Sequence, residues 1–236
     1  MIPIRDSIPC QTKPYVTWAV MAVCTAVYVA MLFMPDEVGQ HFVYLYGMVP
    51  IRYSNPDWAY AFGLPPDHYL SFLTSLFLHG GFLHLLMNMV FLWIFADNIE
   101  DLMGHWRFLA FYLVSGLLAT VTQWYFYPNI AIPVVGASGA IAGVLGAYFV
   151  RFPYATVVIM VPILFYPLFF QVPAIAFLGF WVIVQVGDVF TAAMFDNVAV
   201  DSAWWAHLGG FAVGALLHPF FIDKPAHRRE LSPPAE

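Results

Sequence analysis

Val135-Gly136-Ala137-Ser138-Gly139-Ala140 sets one serine between glycines at the head of an apolar run that ends near Phe152. A hydroxyl at the mouth of a membrane helix is ordinary. Here a second apolar run carries Ala206-His207-Leu208-Gly209-Gly210, so an imidazole is available on another helix. Gly139, Gly143 and Gly146 form a strip of small residues behind Ser138. Ala206, Gly210 and Gly214 form a matching strip behind His207. Small residues at this spacing let two membrane helices approach closely. If the strips pack against each other, hydroxyl and imidazole meet near the helix ends.

The composition around these strips fixes the class of protein. Of the 236 residues, 62% are hydrophobic and 9% are charged. A soluble domain carries about 25% charged residues, and this chain has too few to cover a surface facing water. It reads as an all-α, polytopic membrane protein embedded in the lipid bilayer. The net charge of −6 is spread over loops and tails and predicts no nucleic-acid partner. Cys10 and Cys24 form no disulfide framework, and no carboxylate or cysteine stands at ligand spacing beside the histidines. No metal and no cofactor is expected.

Six spans of about 20 residues fit best. They run from about Tyr15 to Met34, Leu83 to Ala96 (with an apolar lead-in from near Leu70), Phe108 to Phe126, Ser138 to Phe152, Val172 to Val189, and Trp204 to Phe221. The apolar stretch Val157 to Phe170 is short and lies among Pro153, Pro162 and Pro167, so it belongs at the interface or folded against the bundle. Charge placement supports six spans. With the amino terminus inside, Arg5, Lys13, Arg107, Arg151, Lys224, Arg228 and Arg229 lie inside and Arg52 outside. The expected organisation is a cytoplasmic segment 1–14, a membrane domain 15–222 and a disordered cytoplasmic tail 223–236. With no transit peptide in view, a prokaryotic plasma membrane is the expected location. The long first loop, Pro35 to about Tyr69, is rich in aromatics and prolines; it is either external or partly sunk in the headgroup region.

Polar residues inside a membrane are costly and normally face the bundle interior. His84 and Asn88 are four apart and share one face of the second span, while His79 precedes the Gly80-Gly81 pair and sits outside the helix. Hydrogen bonding between helices is the plainer use of such a face. Catalysis is the other. A serine hydroxyl attacks only when a base takes its proton, and histidine can take it and return it to a leaving amine. His84, Asn88 and the backbone N–H of Ser138 can then hold the oxyanion. Asp188, Asp196 and Asp201 read as solvated loop charges. The loop from Asp188 to Ala203, with Phe190, Met194 and Phe195, either caps the site and moves with the fifth span or is a static outer loop.

From about Tyr46 to Phe221 the sequence resembles the rhomboid family of intramembrane serine proteases. The resemblance lies in His79, His84 and Asn88 on the second span, Gly136-Ala137-Ser138-Gly139 on the fourth, and Ala206-His207 with Gly210 and Gly214 on the sixth. It implies a six-helix core opened to water from the outer side and a Ser138–His207 dyad. It also implies oxyanion help from His84 and Asn88, with His79, Gly136 and Gly139 in support, and transmembrane protein substrates cut at or near the membrane boundary. No cofactor or metal is implied. Glu100 matches the family's acidic residue at the inner end of the second span and is carried over as structural. The sequence departs from the pattern in three places. The first loop has only Arg52, without a preceding tryptophan. Ala96 replaces a common glycine. Ala142 stands where some members place an aromatic ring against the catalytic histidine, which leaves Trp204 or Trp205 to support His207. Two other readings stay open, a non-proteolytic binder of membrane helices and a small transporter with Ser138, His84 and His207 lining a path.

Overall fold

The computed structural model describes residues 1–163, 166–195 and 203–222. In chain order it contains strand β1 (Ile2–Arg5), helices α1 (Tyr15–Leu32), α2 (Asp36–Tyr46), α3 (Pro50–Ser54), α4 (Pro56–Ala61) and α5 (Ser71–Thr74), and a 3₁₀ turn at Ser75–Phe77. Helix α6 (Phe82–Phe91) continues through a π-helical turn at Leu92–Ala96 into α7 (Asp97–Met103). Then come α8 (His105–Phe126), α9 (Ser138–Arg151), strands β2 (Thr156–Ile163) and β3 (Tyr166–Pro173), α10 (Ala174–Phe195) and α11 (Trp204–Phe221). Tyr15–Leu32, Phe82–Met103, His105–Phe126 and Ala174–Thr191 are each long and apolar enough to cross a membrane. The expected helical membrane bundle is present, and α11 has the bounds the sequence suggested.

The second long helix runs past the expected end at Ala96 to Met103. It carries the polar residues Asp97, Asn98 and Glu100, and hydropathy alone stops before them. It continues because Glu100 is buried and fully partnered: its carboxylate accepts the N–H groups of Val16 and Thr17 at 2.9 and 2.8 Å and the Thr17 hydroxyl at 2.7 Å. Those are free donors in the first turn of α1, so a side chain on one helix caps another. The helix stops at Gly104, whose φ of +74° is left-handed backbone that a side chain disfavours.

The stretch 157–170 folds against the bundle as a hairpin. β2 pairs antiparallel with β1 (Pro3 opposite Ile159) and with β3 (Val161 opposite Leu168). The strand character was legible in the β-branched run Thr156-Val157-Val158-Ile159. Val157 and Ile159 point into the core, while Tyr166, Leu168, Phe169 and Phe170 are exposed on β3. This sheet, the start of α1 and the end of α9 occupy one end of the bundle, the sheet end.

Arg52, expected as an outer charge, is wholly buried and ties the first loop together. Its guanidinium donates to the Pro65 carbonyl at 2.7 Å, to Leu45 at 3.0 Å and to Tyr44 at 3.4 Å. Three loop segments thus converge on one fork of donors.

Candidate active site

The strips of small residues pack as their spacing suggests. A Cβ placed on Gly214 would collide with the Gly143 carbonyl, one on Gly210 with the Gly139 carbonyl, and one on Gly146 with the Phe211 carbonyl. On its other flank α9 meets α8, where a Cβ on Gly139 would stand 2.8 Å from Ala119 and one on Gly143 2.5 Å from Ser115. Helices α9 and α11 therefore lie backbone against backbone with α8 packed closely on α9 through small side chains, and the depth of Ser138 relative to His207 is set by main-chain contact. Gln123 of α8 fixes the start of α11 by accepting the Ala206 N–H at 3.1 Å.

The turn before Ser138 is held separately. Met48 and Val134 exchange two backbone hydrogen bonds, at 3.1 and 2.7 Å, and the Gly136 N–H donates to the Ser75 carbonyl at 2.9 Å. Gly136 has φ +130°, and a Cβ there would sit 2.7 Å from His84 Nε2 and 3.5 Å from Ser138 Oγ. Both its conformation and the His84 ring demand glycine, and His84 and Ser138 border the same small space.

Ser138 is the first residue of α9, and no side chain caps that end. Its Oγ lies 2.9 Å from His207 Nε2. His207 Nδ1 lies 2.6 Å from Gln185 Oε1 on α10. The His79 ring meets the His84 ring edge-on at 5.2 Å. Asn88 sits one turn further along α6, buried, with its Nδ2 unpaired among the described residues. A cavity of about 630 Å³ opens onto this group. His79, His84, Ser138 and His207 line it, together with the end of α1 and the start of α2, including Met31 and Asp36. Asn88 is not in its wall. Among the described residues no group of three His, Cys, Asp or Glu converges as a metal site.

Two expectations are corrected. The ring beside His207 belongs to Trp181 on α10, with centroids 5.9 Å apart; Trp205 instead stacks on Phe126 at 3.7 Å. Asp188 lies within α10, which continues to Phe195, so the loop expected from Asp188 begins later. Asp196, Asp201 and the tail 223–236 fall outside the described residues. Sequence reading missed Trp181 and Gln185. Their signal was a glutamine one turn from a tryptophan in an otherwise apolar span.

A part-buried hydroxyl against an imidazole, a helix N-terminus behind it and a cavity in front are the parts that acyl transfer requires. Comparison with known proteins points the same way. Residues 66–224 match the family described as the Rhomboid domain. The mitochondrial rhomboid protein 1 of Saccharomyces cerevisiae is 32% identical over 171 residues, covering 68% of this chain and 44% of that protein. The putative rhomboid protease YdcA of Bacillus subtilis is 36% identical over 89 residues, 38% of this chain and 44% of that protein. Rhomboid protease GluP of Bacillus subtilis is 41% identical over 75 residues, 32% of this chain and 14% of that protein. The matched part of this chain spans less than half the length of each of these relatives.

Proposed function

The chain belongs to the rhomboid family, and on that premise we propose that it is an intramembrane serine endopeptidase acting on transmembrane protein substrates through Ser138 and His207. The observation that carries this reading is the 2.9 Å approach of His207 Nε2 to Ser138 Oγ on the wall of an open cavity. Ser138 Oγ attacks the scissile carbonyl carbon while His207 Nε2 takes the hydroxyl proton. The oxyanion forms at the start of α9, where the Ser138 N–H and His84 supply donors, with Asn88 behind them. His207 passes its proton to the departing amine, and the peptide C–N bond breaks. Water from the cavity then attacks the acyl-serine, with His207 again as base and then acid. His79, Gly136 and Gly139 act by placement: His79 backs the His84 ring, and the two glycines make room for it and for α8.

Arg5, Lys13, Arg107 and Arg151 all belong to the sheet end of the bundle, which supports a cytoplasmic sheet end and six crossings. The chain is an integral multi-pass membrane protein; a prokaryotic plasma membrane is proposed from its Bacillus subtilis relatives, while other relatives are mitochondrial. The test is cleavage of a helix-destabilised transmembrane substrate by purified protein in detergent, parent beside Ser138→Ala. Cleavage by the parent alone is expected. Equal cleavage by the variant, or none by a parent that also resists serine-directed fluorophosphonate, would overturn the proposal.

A further inference from the structure

Gln185 and Trp181 are one turn apart on α10, and both reach His207. Gln185 is 8% exposed, whereas its neighbours Ile183, Val184 and Val186 are 69%, 40% and 38% exposed. A polar side chain turned inward from an apolar helix needs a partner, and the partner here is the imidazole, 2.6 Å away. Ala142, one turn along α9 from Ser138, has no ring to hold that imidazole in place. Helix α10 supplies the support instead, a ring at 5.9 Å and a hydrogen bond.

We propose that Gln185 is the positioning residue of the site: its amide oxygen selects the His207 tautomer that can act as a base. The inference rests on the protease reading above. An amide oxygen only accepts a hydrogen bond, so His207 Nδ1 must carry the ring proton and donate to it. Nε2 is then left with a lone pair facing the Ser138 hydroxyl at 2.9 Å. In the other tautomer Nε2 carries the proton and cannot take a second from serine. The role resembles the orienting carboxylate of a Ser-His-Asp triad, which sets tautomer and ring angle without itself being protonated. A neutral amide does this without placing an unpaired charge among the membrane helices. It does not stabilise the imidazolium by charge, so it orients more than it activates.

The test measures kcat, KM and the pH profile for Gln185→Leu and Gln185→Glu beside the parent. Leucine keeps the bulk and removes the acceptor. It should lower kcat roughly tenfold, the rate equivalent of one hydrogen bond, and leave KM unchanged. Glutamate restores the acceptor and adds a charge. It should return kcat to within a few-fold of the parent and move the rise of kcat with pH to higher pH, because a carboxylate favours the imidazolium. His84, the titratable group that bears on His207 from α6, is present in every variant. A purely structural glutamine predicts the opposite pattern, lower melting temperatures in both variants with kcat and pH profile unmoved, and that result overturns the inference. If Gln185→Leu does not fold, the pH shift of Gln185→Glu decides alone, and an unshifted profile overturns it. A parent that cleaves nothing brings down the protease reading and this inference with it; a parent and variants that cleave alike bring down this inference only.

Discussion

Glu100 and Ser138 sit at opposite ends of the bundle, and their surroundings differ in kind. Glu100 is saturated. Besides its three bonds to α1 it accepts the His105 Nδ1–H at 2.6 Å, and beside it Asp101 accepts the Gln11 N–H and the Thr12 hydroxyl at 3.1 and 2.5 Å. At the other end Ser138, His207 and His84 face a cavity, and the Asn88 Nδ2 behind them is unpaired among the described residues. Polar groups at the sheet end join elements of the chain to one another. At the cavity end backbone contact sets the depth of Ser138, Gln185 holds the His207 ring, and the pair borders open space. A buried polar group left open costs stability; Asn98 Oδ1 at the sheet end is unpaired among the described residues too, so what sets the cavity end apart is the open space that its groups border.

The contrast can be broken by moving activity and stability separately. The largest effect belongs to His207→Ala, which should lower cleavage by at least about 10³-fold, while stability to unfolding in detergent falls only by the cost of leaving the buried Gln185 amide without its partner, about 1–3 kcal/mol. Asn88→Ala comes next. Loss of an oxyanion donor typically costs about 10²-fold in rate, and because Nδ2 makes no bond among the described residues the melting temperature should not fall. A variant that loses stability and keeps its rate would make Asn88 a packing residue. Glu100→Gln should do the reverse, since the new NH₂ faces donors. An unfolding measurement should show about 2 kcal/mol lost, with kcat unchanged below the melting temperature. The smallest effect is chemical. Burial pushes the Cys10 thiol up to about 11, and Asp97 and Asp101 push the same way. Its alkylation at pH 8 should be roughly tenfold or more slower than that of a free thiol, and Asp101→Asn should speed it. Rapid alkylation in the parent would mean that the amino-terminal segment does not sit as described.

Much of the cavity end was readable in advance because its residues announce themselves. A serine and a histidine at the heads of two small-residue strips come together when the strips pack, and helical spacing places His84 and Asn88 one turn apart on α6. Gln185 was readable as a polar residue in an apolar span but not as a partner of His207, because a lone glutamine says nothing of which helix it meets. Trp204 and Trp205 are near His207 in sequence, whereas Trp181, whose ring lies beside it, is near only in space. At the sheet end, hydropathy stopped the second span before Asp97, since an acid scores as an ending unless its partners are known. Those partners, Val16 and Thr17, lie more than eighty residues earlier.

The sequence by itself determined that this is a membrane protein with closely packing helices, because composition and helix-spaced glycines are local properties of the chain, and its motifs carried the resemblance to the rhomboid family. Only the tertiary structure decided the partners: Glu100 capping α1, β1 pairing with β2, Arg52 gathering the first loop, and Gln185 reaching His207. The physical reason is that a hydrogen bond joins two atoms in space. A sequence shows which atoms need such a bond, and packing decides which atom provides it.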